Sequence, residues 1–279
     1  MPFYRKRLKI HSIKGLVHIK RFWRQVQLPR HAYPYLVIHD QWTLNYYHWM
    51  TQALPRLLIV LNSSLRFTLI LPANHNKPFH LGSLKIFGIE QWVSIEDAEA
   101  YYQLSEVIYP AHDIQVGDYN DDLMIELSEK LCGNGLEERE MNRNFIFVQR
   151  QSTIGRKIIN EHEVSNLFLS RGFRIVDFES LSFEEQISEA MNCSVLAGVH
   201  GAGLTNMLFM KRGSKVLELT SMLQGEQYYY YTLSNALGHE YYYQLCSPQN
   251  HGQSIQDANI HVNISELNNI IDLMLNGHD

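Results

Sequence analysis

Residues 197–209 read AGVHGAGLTNMLF: an apolar run, then His200-Gly201-Ala202-Gly203, then the start of a helix near Leu204. Glycines let a backbone approach a ligand closely, because they carry no Cβ. A helix N-terminus offers free N–H groups and partial positive charge to an anionic phosphate. His200 adds a donor for a diphosphate or its neighbouring sugar, and Asn206 can hydrogen-bond or cap within the helix. A tight strand–helix turn that needs only small residues would use the same glycines. Glu218 follows Gly203 by 15 residues and ends the next apolar run. An acid there can accept both hydroxyls of a ribose, or pair with a nearby lysine or arginine.

Arg150 and Arg156 flank the polar stretch QSTIG after the run FIFV (145–148). Two guanidiniums at a strand's carboxyl end can clamp a leaving diphosphate and neutralise its charge without a metal. Surface pairs with Glu161 or Glu163 are the plainer alternative. His48 lies in NYYHWMTQALPRL, among Tyr46, Tyr47 and Trp49. Desolvation by these rings would hold its imidazole neutral, ready to take a proton from an acceptor hydroxyl. A core histidine bonded to a backbone carbonyl is the other reading. Arg56, eight residues on, either orients acceptor or donor phosphate or caps a kink at Pro55. Metal sites are poor: His75 and His80 sit in a loop around Lys77, and GDYNDD (117–122) lacks DxD spacing. Tyr228–Tyr231 and Tyr241–Tyr243 suit stacking on sugars or bases, but on a helix and a strand they read mainly as packing residues.

Elements must hold these groups. Strands are expected at 33–38, 67–71, 91–95, 145–148, 173–176, 194–199, 215–219 and 240–245. Helices are expected at 45–62, 80–87, 121–131, 161–171, 227–236 and 265–275, and from Leu204. Ser182 and Glu185 form a capping box for a helix reaching about Asn192, and Gly172 suits a left-handed helix end. This alternation is the pattern of parallel sheets covered by helices. The polar stretch 132–143 is a linker between two small domains, and the last helix is expected to pack back across that boundary.

Of 279 residues, 45% are hydrophobic and 19% charged, an ordinary globular balance. No apolar run reaches membrane-spanning length, and the N-terminus has no signal-peptide stretch. Three dispersed cysteines give neither a disulfide framework nor a zinc motif, which fits a reducing cytoplasm. The net charge of −5 hides an asymmetry: residues 1–30 carry nine basic side chains and no acid, while the remainder has 15 basic against 29 acidic residues. That arm, interleaved with aromatic and aliphatic residues, suits an anionic membrane surface; docking on the chain's own acidic body is the alternative. The acidic remainder disfavours nucleic acid.

Three blocks together resemble glycosyltransferase family 61: YYHWMTQALPRL (46–57), FIFVQRQSTIGRKIINEHEV (145–164) and the stretch GFRIV…KVLEL (172–219). The family has Ser-Arg, a further arginine and an Asn-Glu pair, where this chain has Gln149-Arg150, Arg156 and Asn160-Glu161. Region 62–143 matches little, which leaves acceptor choice open. The resemblance implies an α/β, GT-B-like fold with two Rossmann-like domains whose parallel sheets face a central cleft. Residues 1–142 would form the acceptor-side domain, with 1–30 as its basic arm. Residues 143–260 would bind the nucleotide sugar, and 261–279 would form the helix returning toward the N-terminal domain. It implies inverting transfer from a nucleoside-diphosphate sugar, commonly UDP-linked, with no metal or other cofactor. Arg150, Arg156, His200, Gly201, Ala202, Gly203, Asn206 and Glu218 would hold the donor, with His48 as base. Arg56, Asn160 and Glu161 would orient acceptor or phosphate. Separately, the absent signal and anchor, the sparse cysteines and the basic N-terminal segment lead to the expectation of an acceptor glycan or glycolipid of a bacterial capsule or lipopolysaccharide, built in the cytoplasm or at the inner face of the cell membrane.

Rival readings fare less well. A dehydrogenase loop needs a third glycine where Asn206 stands. An esterase reading of HGAG lacks any GxSxG nucleophile elbow. A non-catalytic nucleotide- or sugar-binding module would keep the loop without needing the base.

Overall fold

The computed structural model describes residues 25–96, 100–110, 117–133, 143–149, 157–221, 228–249 and 259–276. Most of the basic arm, much of the expected linker, Arg150 and Arg156 lie outside the described residues. In the first half, β1 (Gln25–Gln27), β2 (Tyr35–Leu36), β3 (Thr68–Pro72), β4 (Val93–Ile95), β5 (Tyr101–Gln103) and β6 (Val107–Ile108) all pair in parallel. Four of them form a sheet in the order β4-β3-β2-β6, and β1 pairs with β5. The strand expected over 33–38 is short, but ladder bonds from Val37 N–H to Ile108 O and from Thr68 N–H to Pro34 O extend it.

The second half is built on β7 (Phe145–Val148), β8 (Phe173–Val176), β9 (Val195–Val199), β10 (Lys215–Thr220) and β11 (Glu240–Leu245). They form one parallel sheet in the order β11-β10-β9-β7-β8. A short antiparallel pair, β12 (Ser247–Pro248) with β13 (Ile260–His261), lies after it. Both faces of its central strands β7, β9 and β10 are covered, so these read as largely apolar runs, while the edge strands β8 and β11 are partly exposed. From β7 the chain crosses to β8 on one side and then to β9 on the other. The order therefore reverses between β7 and β9, where open α/β sheets leave a crevice at the strands' carboxyl ends.

The long helix of the first half, α1, starts at Tyr46–His48, widens into a π-helical turn at Trp49–Ala53 and continues as Leu54–Asn62. Asn45 caps it by accepting the Tyr47 N–H at 2.9 Å. The expected break at Pro55 is this π turn just ahead of the proline. The other α-helices among the described residues are α2 (Pro78–Ile86), α3 (Asp121–Cys132), α4 (Glu161–Ser170), α5 (Phe183–Met191), α6 (Tyr229–Ala236) and α7 (Ile264–Asn276). The capping box of α5 is present, with the Glu185 N–H donating to Ser182 Oγ and the Ser182 N–H to Glu185 Oε2. Gly172 has φ +81° after α4, as its position in the sequence suggests. Among the described residues no helix is long and apolar enough to cross a membrane.

Alternation along the second sheet divides the core. Ile146, Leu196 and Val216 face a cluster that also contains Leu36, Trp49, Leu57 and Leu127 of the first half. Phe147, Val195, Ala197 and Leu217 face the opposite cluster, with Phe168 of α4 and Leu267, Ile271 and Met274 of α7. The expectation that the last helix returns to the first half is thus corrected. Its apolar stripe, at i, i+4 and i+7, seals the outer face of the second sheet instead. Arg171 fixes it there through Asp272 at 2.8 Å, and Lys215 Nζ donates to Met274 O at 2.6 Å.

Side chains also tie the two halves together. The Phe183 ring sits against Gly82, where an added Cβ would come within 2.5 Å. Ser128 of α3 donates to Leu208 O at 2.6 Å. His75 and His80 are buried rather than displayed on a loop, with ring centroids 4.9 Å apart and His39 5.8 Å from His75.

Candidate active site

The switch point places the ends of β7 and β9 side by side, with Val148 in register with Gly198. Beyond β9, the His200 N–H donates to Leu219 O at 2.9 Å, which fixes the turn against β10. Gly201 is extended, and Ala202–Phe209 follows as a 3-10 helix rather than the expected α-helix. Tertiary anchors account for the difference. Leu204, Met207, Leu208 and Phe209 are all buried, Ser128 binds Leu208 O, and His239 Nε2–H donates to Met207 O at 3.0 Å. A 3-10 segment leaves its first N–H groups without partners inside the helix. Here those are the N–H groups of Gly201, Ala202 and Gly203, since the Leu204 N–H already donates to Gly201 O.

Gly203 is small for a packing reason as well. A Cβ there would lie 2.8 Å from Val148 Cγ1, and one on Gly198 would lie 3.3 Å from both Val148 and Leu204. Gly203→Ala is therefore expected to destabilise by ~1–3 kcal/mol through overpacking. Adding Val148→Ala should restore part of that loss in urea unfolding. If the double variant is no more stable than the single, the steric account is wrong.

Asn206 is buried, donates to Gly203 O at 3.0 Å and accepts the Tyr46 hydroxyl at 2.9 Å. It therefore braces the turn and links it to α1. Burial raises the Tyr46 phenol well above its ordinary value, so this hydroxyl acts as a donor. Glu218, two residues before the end of β10, is 2% exposed. One of its oxygens accepts from His200 Nδ1–H and the other from the Tyr241 hydroxyl. Tyr241 has no local signal that marks it; only the register of β11 beside β10 brings it there.

His48 is half-buried in the first turn of α1. Its Nδ1–H donates to Gln52 Oε1 at 2.7 Å, which leaves Nε2 as the ring nitrogen able to accept a proton. The rings beside it are Tyr47 and Trp42, at 5.1 and 5.8 Å. Tyr46 and Trp49 turn elsewhere, toward Phe79 and His80, because successive helical residues point about 100° apart. Tyr47 meets Tyr230 at 5.6 Å, and Tyr230 meets His200 at 5.1 Å. One file of rings thus runs from His48 to His200. Gln52, four residues after His48 on the helix, was legible only as i, i+4 spacing.

The residues expected to orient acceptor or phosphate each have partners within the protein. Arg56 is 2% exposed and donates to Ile38 O at 2.8 Å and Asp40 Oδ2 at 3.0 Å, so it holds the segment after β2. The Asn160 side chain exchanges hydrogen bonds with the backbone of Val262, at 2.9 and 3.0 Å. Glu161 accepts from Gln149 Nε2 at 3.1 Å and steadies the residue that follows β7.

Residues 46–217 match the family model described as Glycosyltransferase 61. The chain is also similar to the EGF domain-specific O-linked N-acetylglucosamine transferase of Gallus gallus, 34% identical over 79 residues, which is 26% of this chain and 15% of that protein. For the Bos taurus protein of the same name the figures are 32% over 101 residues, 34% of this chain and 19% of the relative. The chain thus matches under a fifth of the length of these relatives.

Proposed function

The chain belongs to glycosyltransferase family 61; from that premise we propose that it is a glycosyltransferase that moves a sugar, with inversion, from a UDP-linked donor to a glycan or glycolipid. The observation that carries this reading is the position of the His200–Gly203 turn at the switch point between β7 and β9. The N–H groups of Gly201, Ala202 and Gly203 would receive the diphosphate. His200, Arg150 and Arg156 would neutralise it as the bond to the anomeric carbon breaks, with no metal required. His48 Nε2 takes the proton of the attacking acceptor hydroxyl, with Gln52 fixing its tautomer. We further propose a GT-B-like division of labour, with residues 1–142 on the acceptor side and 143–260 on the donor side.

Context follows from charge. The basic arm, residues 1–30, would hold the enzyme on an anionic inner membrane face, in synthesis of a bacterial capsule or lipopolysaccharide. Unchanged association with anionic liposomes after deletion of residues 1–25 would remove that part of the proposal.

The test is turnover of a nucleotide-sugar panel with mixed glycan acceptors and with an EGF domain, in buffer containing a chelator. UDP-sugars should be consumed with the chelator present. His48→Ala should lower transfer by about 100-fold or more while donor binding persists. Consumption of no UDP-sugar contradicts the donor assignment. Full activity in His48→Ala contradicts the base, and transfer to the EGF domain alone contradicts the glycan acceptor.

A further inference from the structure

Building on the donor reading above, we propose that Glu218 and Tyr241 are positioning residues for His200, and that Glu218 does not receive the ribose hydroxyls. Three strands converge here: His200 follows β9, Glu218 stands on β10 and Tyr241 on β11. A carboxylate that takes ribose needs oxygens open to the ligand at a strand's end. Glu218 is instead enclosed, and its two oxygens receive His200 Nδ1–H and the Tyr241 hydroxyl.

Tyr241 is itself held. Its ring meets Tyr231 edge-on at 5.6 Å and stacks on Tyr243 at 6.3 Å. Burial, with the Glu218 carboxylate beside it, raises its phenol far above the ordinary range, so the hydroxyl stays protonated and donates. On its other side His200 meets the rings of Tyr230 at 5.1 Å and Tyr229 at 6.4 Å, with Tyr47 behind Tyr230. With Nδ1–H committed to Glu218, the orientation of the ring and the direction of Nε2 are fixed. Nε2, carrying a proton, is then the donor that meets the diphosphate, and small misplacement of such a group costs rate more than affinity.

The assignment separates from ribose binding by titration calorimetry. UDP and 2′-deoxy-UDP are titrated into the wild type, Glu218→Gln and Tyr241→Phe, and donor turnover is measured on the same samples. Positioning predicts UDP affinity within about threefold of wild type in both variants. It predicts the same penalty for the missing 2′-hydroxyl in all three proteins. It also predicts kcat lowered by about 100-fold in Glu218→Gln and about tenfold in Tyr241→Phe. Loss of UDP affinity by tenfold or more in Glu218→Gln, with the 2′-deoxy penalty abolished, overturns the proposal in favour of ribose binding. Unchanged kcat in both variants overturns it as well. Failure of UDP to bind the wild type would overturn the donor reading and this assignment together.

Discussion

His200→Asn is expected to lower sugar transfer by about 10²–10³-fold while the protein unfolds at nearly the wild-type temperature. The choice of asparagine matters. Its amide N–H can occupy the place of His200 Nδ1–H and keep donating to Glu218, while nothing replaces Nε2. His200→Ala removes both. It leaves the 2%-exposed Glu218 carboxylate with one of its two partners gone, which costs about 1–3 kcal/mol of stability. Side by side, the two variants separate chemistry from folding: both lose turnover, and only alanine loses stability. Wild-type turnover in His200→Asn would place Nε2 outside the reaction. Equal destabilisation in both would mean that the imidazole is there for structure.

The second large effect is on stability against acid. Burial pushes His39, His80 and His239 down to about 4 and His75 down to about 3. The charged groups facing the His39–His75–His80 cluster are Asp40, which favours protonation, and Arg56 and Lys77, which oppose it. In the unfolded chain these imidazoles titrate near 6.5. Between that value and about 4 the unfolded state therefore binds more protons, and stability falls as pH falls. For His239, enclosed against Met207 O, the interval down to about 4 corresponds to about 3 kcal/mol, present at pH 7 and gone by pH 4. The cluster adds to it in the same direction, against a total stability on the order of 5–15 kcal/mol. Urea midpoints measured from pH 7 to pH 4 should drop steeply, and His239→Gln should flatten part of the slope. A midpoint independent of pH across that window would contradict the burial of these four rings.

What the sequence disclosed, and what it withheld, divides by range of interaction. The parallel alternation, the Ser182–Glu185 box, the end of α4 at Gly172 and the strand running into His200 all rest on neighbours a few residues apart. Local pattern is enough for those. The 3-10 form of Ala202–Phe209 is imposed by Ser128, 80 residues before Leu208, and by His239, 32 residues after Met207. Asn160, assigned by resemblance to orienting acceptor or phosphate, bonds Val262, 102 residues away, which no local pattern reveals. Arg56 is neutralised by Asp40 across a fold in the chain that periodicity does not reveal. Tyr241 belongs to the candidate site only through strand register. Of the predicted site, the turn at 200–203 and its acid, Glu218, are adjacent in the structure, but the acid's partners differ from those its position suggested.

The catalytic account depends on the N–H groups at the mouth of the turn taking up a diphosphate. Glycine-selective ¹⁵N labelling reads them directly, through the amide signals of Gly198, Gly201 and Gly203. UDP should shift Gly201 and Gly203, and uridine, which lacks the phosphates, should leave them in place. Shifts at other glycines with these two unmoved, or equal shifts with uridine, would contradict the account.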